Sequence, residues 1–414
     1  MKLWSLVRRA LPMLGALAIG GFLLSLAPRD SLGSPFGLFA LAVLALVWVM
    51  RAPRDARRDS LLPALAVLLS AFGLAIVARL SSDLARKQEV WLAISLGLVV
   101  LLGPAFDRFR RMSGYKYIWV LGSIVLFALV AVFGQEVNGA KLWFRIGPVQ
   151  YEPIEIIKLF IVFFMAAYLA ETADVISVAK PWSLRANAKY LGPLFLGWAA
   201  SMAILIFEHD VGMAALLFAT FIAMLYVATR RIDLIVGGAA LFGLAIWWAV
   251  GHYAYVAARI ASWRNPFADP LGHGYQALQG LFSLAAGGLF GTGYRLGHPG
   301  WIPAAETDYV YAALSEEFGA LGGVVILTAF GIIIWRALLA AQAQPDIYAK
   351  LLAVGLAATL GFQVVIIVGG VVGLFPLTGV TLPFISYGGS SLVANFLLIA
   401  LLWAIGSERA PRVA

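Results

Sequence analysis

The sequence predicts an all-α fold: a polytopic membrane helix bundle of about twelve transmembrane helices. Three observations carry that reading. Hydrophobic residues fill 62% of the 414 positions and charged residues only 12%, against about a quarter charged in soluble domains. The apolar residues gather into stretches near the roughly 20 residues that a spanning helix needs, with about 17 as the lower end. The lysines and arginines between those stretches fall mostly in alternate connections. Mean hydropathy is +0.91.

In chain order the candidate spans are Leu11–Ala27, Pro35–Met50, Leu61–Ala78, Val90–Phe106, Ile118–Phe133 and Ile154–Ala170. Leu191–Phe207, Val211–Ala228, Leu234–Val250, Leu321–Ala341, Leu351–Gly370 and Leu392–Ile405 follow. The first resembles a signal peptide, with Lys2, Arg8 and Arg9 ahead of the apolar run and Ser25-Leu26-Ala27 as a cleavage-like end. Pro28 follows directly and disfavours cleavage, so the stretch is read as a retained span. Twenty of the 30 lysines and arginines fall on the side of the N-terminus, nine on the opposite side, and Lys158 within a span. Positive charge marks cytoplasmic loops, so both termini are placed inside. The net charge of +9 is thus a signal for the cytoplasmic leaflet rather than for nucleic acid. The chain has no Cys, which excludes disulfides, thiolate metal sites and Cys nucleophiles.

Residues 1–58 are read as an N-terminal two-helix membrane addition and 59–414 as the core, with a large extracytoplasmic segment at 251–319. The inner loops are basic and otherwise bland. The outer ones are unusual: Gln135 to Glu155, Glu208-His209-Asp210, Trp263 to Gly319, and the Gly/Pro-rich Leu374 to Ser391. Long loops in compact proteins are usually functional or disordered, and the apolar middle of the third, Leu278 to Phe290, argues against disorder. Chemistry is therefore expected at the outer face, with Asp269 held at that membrane surface. No internal repeat and no paired broken helices are evident, which weakens a secondary-transporter reading.

Asp269 stands between Pro266 and Pro270, which stiffen the backbone around it. A carboxylate displayed there, with its pKa raised, would suit a general base; an Asx-type turn residue is the structural alternative. Glu155 and Lys158 are three apart in a span and share a helix face, as a buried pair would, lining a cavity open to the outside. Glu152 precedes Pro153 and suits a first helical turn. Glu208 and Asp210 are either a second such polar site or a solvated turn. Gly287, Gly288, Gly291 and Gly293 would let backbone approach a diphosphate, or form a helix turn. Thr307, Asp308, Glu316 and Glu317 lie at the entry to a span, where acids also favour the helix dipole. The irregular Leu374–Ser391 stretch is expected to line the same outer cavity as Asp269. Its Ser386, Tyr387, Ser390 and Ser391 offer hydroxyls either to substrate or to that irregular backbone. His209, His252, His273 and His298 have no metal-ligand spacing, so no histidine metal site is expected. Mg²⁺ or Mn²⁺ held by carboxylate and phosphate oxygens stays open.

Several of these stretches together resemble one family, the shape, elongation, division and sporulation (SEDS) proteins, the RodA/FtsW family of bacterial cell-wall glycosyltransferases. The densest match is Phe375 to Ser391, FPLTGVTLPFISYGGSS. Asn265–Pro270 with Gly274-Tyr275-Gln276, the glycines from Gly287 to Gly293, Thr307-Asp308, and Glu316-Glu317-Phe318-Gly319 add to it. So do Asn138-Gly139-Ala140-Lys141 with Trp143, and Glu152-Pro153-Ile154-Glu155 with Lys158. The family commonly has Gln-Pro-Ser-Glu where Glu152–Glu155 stands, and Gln-Pro-Asp before the position of Val211. Its usual core has ten spans, so the first two here look like an addition.

The resemblance implies a bacterial cytoplasmic-membrane enzyme, a peptidoglycan glycosyltransferase that polymerises lipid II into glycan strands at the outer face, for cell elongation or division. It implies a class B penicillin-binding protein, a transpeptidase, as partner, and lipid II and polyprenyl diphosphate as ligands. Asp269 occupies the position of the family's essential external aspartate, and Glu155 and Lys158 match its intramembrane pair. Substrate-binding or supporting roles then fall to Lys141, Arg264, Tyr275, Gln276, Thr307, Asp308, Glu316, Ser386 and Ser390. Lys141, Arg145, Arg259, Arg264 and Arg295 are the external cations available to a leaving diphosphate. The rival readings are a flippase that moves lipid II without forming a bond, and a scaffold that only activates its partner.

Overall fold

The computed structural model describes residues 2–28, 32–33, 35–50, 59–106, 108–137, 140–146, 149–178, 188–192, 195 and 210–406. The expected span Leu191–Phe207 lies mostly outside the described residues, as do Glu208 and His209. The chain is a multi-pass helical membrane protein: eight described helices are long and apolar enough to cross a membrane, and three shorter apolar helices accompany them.

The helices are α1 (Lys2–Ser25), α2 (Pro35–Met50), α3 (Leu61–Leu80), α4 (Ser82–Phe106), α5 (Lys116–Phe133) and α6 (Ile154–Val178). Then come α7 (Val211–Thr229), α8 (Ile232–His252), α9 (Ala254–Arg264), α10 (Tyr275–Gly287), α11 (Val310–Gln342), α12 (Ile347–Val371) and α13 (Gly389–Ile405). Apolar windows locate these helices but not their ends. The polar turns Ser82–Glu89 and the stretch Val310–Phe318 are helical too, because backbone hydrogen bonds carry a helix past the apolar belt.

Helices α3, α6, α12 and α13 form the buried centre, and α12 packs against α6, α7 and α11. Helix α1 packs on α3, and α2 on α4. Helix α8 has no buried residue and sits at the periphery, against α7 and α9. Between α5 and α6 the chain forms a small antiparallel sheet that the sequence did not suggest: β1 (Gln135–Val137), β2 (Ala140–Ile146) and β3 (Val149–Tyr151), in that order.

The long outer segment is not an irregular loop. It folds as α9, a 3₁₀ turn at Pro266–Ala268, α10, a run of turns over 288–309 with a 3₁₀ turn at Pro299–Trp301, and the first turns of α11, which is broken at Gly319 (φ 69°). The Gly/Pro-rich segment between α12 and α13 is irregular from 372 to 388, as its prolines and glycines require. Between Val380 and Ser386 it is also largely buried: Phe384 and Ile385 are 2% and 0% exposed. Helix α3 approaches it so closely that a Cβ at Gly73 would stand 2.5 Å from the Cα of Ile385 and 2.6 Å from its carbonyl oxygen.

That contact leaves no room for a methyl group. We expect Gly73→Ala to destabilise the fold by about 1–3 kcal/mol, the usual cost of overpacking. Thermal unfolding in detergent measures it, and an unchanged melting temperature would show that α3 does not clasp this segment.

Candidate functional site: a buried polar brace beneath an outer cavity

The Glu155–Lys158 pair exists. Their spacing on α6 brings Lys158 Nζ to 2.5 Å from Glu155 Oε2, with Lys158 0% and Glu155 2% exposed. Lys158 also donates to Gln363 Oε1 at 2.9 Å, and the Gln363 amide donates to the Thr381 carbonyl at 3.0 Å. The pair thereby ties α6 and α12 to the irregular segment. Neither residue is among those that line the outer cavity described below, and both side chains are buried.

Ser386 and Ser390 serve the same brace. Ser386 Oγ donates to the Thr307 carbonyl (2.6 Å) and accepts from the Leu382 amide (2.9 Å). Ser390 Oγ accepts from the Glu152 amide at 2.8 Å. Gln88 adds a third clamp, donating to the Ser386 carbonyl and accepting from the Gly388 amide. Of the two roles open to these hydroxyls, satisfying irregular backbone is the one the geometry displays.

Above the brace lies a cavity of about 330 Å³ between α9, α10 and residues 370–379. Arg259, His273, Gln276 and Asp308 line it with Phe375 and Gly379. Arg259 donates to the Thr378 carbonyl at 3.4 Å. A Cβ at Gly379 would lie 3.9 Å from both the Arg259 guanidinium and Asp308 Oδ2, so these two charges converge there. Burial raises Asp308 to about 6, against the lowering pull of the Thr307 hydroxyl and Arg259. Asp210 caps α7 by accepting from the Met213 amide, and burial raises it to about 6 as well. Burial, then the Glu155 charge, pushes Glu152 well above the usual carboxylate range. Gln276 donates to the Pro303 carbonyl at 2.9 Å, and Tyr275 opens α10 half-buried beside it.

Asp269 is exposed, just after the Pro266–Ala268 turn, and is bonded to His273, which lines this cavity. Its carboxylate accepts from the Gly272 amide (3.0 Å), the His273 amide (2.8 Å) and His273 Nδ1 (3.2 Å). These bonds, chiefly those from His273, hold its pKa below the ordinary value. The expectation of a raised pKa is therefore corrected. Of the two readings, the turn is the one seen: the Gly272 and His273 amides donate to the Asp269 carboxylate and favour its charged form.

Glu316 and Glu317 are buried braces on α11. Glu316 accepts from Ser283 Oγ at 2.8 Å and the His298 amide at 2.7 Å. Glu317 pairs with Arg79 at 3.2 Å, and Arg79 also donates to the Gly297 carbonyl. The glycine cluster belongs to this packing. A Cβ at Gly291 (φ 83°) would stand 2.2 Å from the Glu317 carbonyl oxygen, which supports the helix-turn reading over a diphosphate cradle. Arg264 ends α9, exposed, where a cation suits the helix dipole. Lys141 lies on β2, with its side chain outside the described residues. No three His, Asp or Glu side chains converge as metal ligands among the described residues.

Sequence reasoning missed Gln363, Arg79, Gln88 and His273 as parts of this arrangement. Gln363 carried a signal, being a polar residue in a helix that is otherwise apolar there, whereas Gln88 stands among other polar residues. Arg79 and His273 carried none beyond their place near the outer surface.

Comparison with known proteins places this architecture. The model of the family described as "Cell cycle protein" (FtsW, RodA, SpoVE) matches residues 59–410. The "Peptidoglycan glycosyltransferase RodA" of Mycobacterium tuberculosis (strain ATCC 25618 / H37Rv) is 37% identical over 372 residues, covering 86% of this chain and 79% of the relative. A chain solved under "Structural coordination of polymerization and crosslinking by a peptidoglycan synthase complex" superposes with a TM-score of 0.68 at 30% identity, covering 84% of this chain and 98% of that one. The crystal structure of the rod shape determining protein RodA of Thermus thermophilus gives a TM-score of 0.63 at 28% identity, covering 87% and 100%.

Two outcomes are expected from this geometry. Glu155→Ala leaves the Lys158 ammonium buried without its counter-ion, a change that costs about 3–5 kcal/mol; a melting temperature equal to wild type would show that the pair is not sealed. Asp308, with a folded pKa of about 6 against an ordinary 3.8, weakens the fold as pH rises through 6 and does not do so below 4. Asp308→Asn should accordingly gain thermal stability over wild type on going from pH 4 to pH 8. A difference that stays constant over that range would place Asp308 in water.

Proposed function

The chain belongs to the FtsW/RodA/SpoVE family of cell cycle proteins, and from that premise we propose that it is a peptidoglycan glycosyltransferase. It polymerises lipid II into glycan strands at the outer face of the bacterial cytoplasmic membrane, in cell elongation or division. The observation that carries this reading is the outer cavity, with Arg259 on its wall and Asp269 bonded to His273, which lines it. The partner we propose is a class B penicillin-binding protein, whose transpeptidase crosslinks the strands. The likeness to a chain from a peptidoglycan synthase complex supports an assembly of that kind.

The reaction joins an acceptor sugar hydroxyl to the anomeric carbon of a diphosphate-linked donor. The hydroxyl loses its proton, the new C–O bond forms, and the anomeric C–O bond to the diphosphate breaks. The diphosphate leaves on its polyprenyl carrier with the electron pair. A base is needed at the hydroxyl, and the Asp269 corner of the cavity supplies it. Positive charge is needed where the diphosphate leaves, and Arg259 is the cation nearest to hand, with Arg264 at the end of the same helix. Among the described residues no protein cage for Mg²⁺ or Mn²⁺ is assembled. Such an ion would take most of its ligands from the diphosphate and water.

A flippase would need ionisable groups along a path through the membrane. The Glu155–Lys158 pair is instead closed upon itself and Gln363, which favours the polymerase reading.

Purified protein, alone and with its transpeptidase partner, incubated with labelled lipid II should yield glycan chains. Asp269→Asn should fold and bind the partner as wild type does and lose at least a hundredfold in polymerisation, the lower range of a positioned acid–base group. Glycan synthesis near the wild-type rate by this variant would remove Asp269 from the chemistry.

A further inference from the structure

Three features of the Asp269 corner fit poorly with a lone carboxylate as proton acceptor. Its pKa is held below the ordinary value, so it gives up a proton more readily than it keeps one. Its oxygens already accept three hydrogen bonds. And His273, not Asp269, is among the residues that line the cavity.

The geometry of His273 supplies what is missing. Its backbone is held from two sides: the amide donates to Asp269 Oδ2 at 2.8 Å, and the carbonyl accepts from Ser262 Oγ at 2.5 Å. Its ring nitrogen Nδ1 lies 3.2 Å from Asp269 Oδ2. A carboxylate accepts only, so Nδ1 is the donor, and in the neutral ring Nε2 is then left as the acceptor. A carboxylate partner of this kind fixes the tautomer and the orientation of the ring. The ring is largely exposed, so Nε2 is open to a substrate.

We propose that Asp269 and His273 act as one unit, in which Nε2 of His273 takes the proton of the acceptor hydroxyl and Asp269 positions the ring. The acceptor O–H bond breaks toward Nε2 as the oxygen bonds to the anomeric carbon. The anomeric C–O bond breaks toward the diphosphate. The imidazolium that forms is stabilised by Asp269 and returns its proton to water in the open corner. His273 is thus the catalytic residue, and Asp269 is a positioning residue acting through it. This rests on the glycosyltransferase reading above and adds to it the identity of the atom that receives the proton. The other titratable groups facing this space are Arg259 and Tyr255 from α9, and Asp308 and Tyr309 ahead of α11.

Imidazole is the side chain that ordinarily titrates between about pH 5 and 8. The test is the pH–rate profile of lipid II polymerisation by the partner-bound enzyme, for wild type and for His273→Gln and His273→Ala. Wild type should lose rate on acidification through that range. Both variants should melt as wild type does, since the ring is exposed and the backbone bonds remain. His273→Gln should fall about a hundredfold at pH 7.5 and lose the acid limb, and added imidazole should restore part of the rate to His273→Ala. Wild-type rates in either variant overturn the proposal, and so does an acid limb that survives in His273→Gln. If wild type itself makes no glycan, the glycosyltransferase reading fails, and that result is distinct from either.

Discussion

The architecture depends on one buried charge. Lys158 lies in the middle of a protein core with no exposure at all, where an isolated ammonium would cost several kcal/mol. It is stable only if Glu155 and Gln363 are both in place, one on its own helix and the other on α12. Gln363 then donates from its amide nitrogen to the Thr381 carbonyl. A single cation thus sets the distance between two helices and the depth of an irregular segment that has no regular hydrogen bonds of its own. An apolar core of the same volume would fold as well or better, so the pair is better understood as a device for register than as a source of stability.

The irregular segment gains from this. Irregular backbone at membrane depth is tolerated only where its polar groups find partners. Thr381 and Gly388 meet side chains from α4, α12 and α13, and the Ser386 hydroxyl donates to the Thr307 carbonyl ahead of α11. The Tyr387 amide meets the Glu306 carbonyl. Because those bonds also reach Thr307, the same sutures that satisfy the segment bring Asp308 against Gly379 and Arg259. The cavity is the consequence of a solved backbone problem: its floor is the segment, and its charged wall is whatever the sutures pull in.

The bundle was legible because membrane insertion writes itself into composition and period. Twenty apolar residues in a row admit few alternatives, and eleven of the twelve expected spans have a described helix. The Glu155–Lys158 pair was legible for a similar reason, since two charges three apart in such a stretch must face each other or pay heavily. What stayed hidden were the contacts between distant segments. Nothing near Ser386 in sequence says that its hydroxyl will reach Thr307, or that Glu316 will accept from the His298 amide. The three-stranded sheet at 135–151 was missed because its strands are short and its edges carry charge. Asp269 was found by its prolines and its setting, but the sign of its pKa shift was misjudged. Local donors, which a sequence does not display, outweigh the membrane's proximity when the side chain stands in water.

The contrast between the two polar layers carries a mechanistic consequence. The brace is buried, and most of its donors and acceptors are matched to each other, although Glu155 Oε2 and Glu317 Oε2 accept no hydrogen bond. The rim is wet, with Asp269, His273, Arg259 and Arg264 all exposed or largely so. Electrostatic catalysis works best where water is excluded, because water screens the charges and competes as a nucleophile. In this structure the rim is not yet such a place. Two lipid-linked saccharides lying across the cavity mouth would shut out water as they meet. On that argument the rigid brace fixes where the two must meet, and the open rim lets them arrive and lets the product move on. The enzyme would become a dry active site only in the instant when both sugars are present.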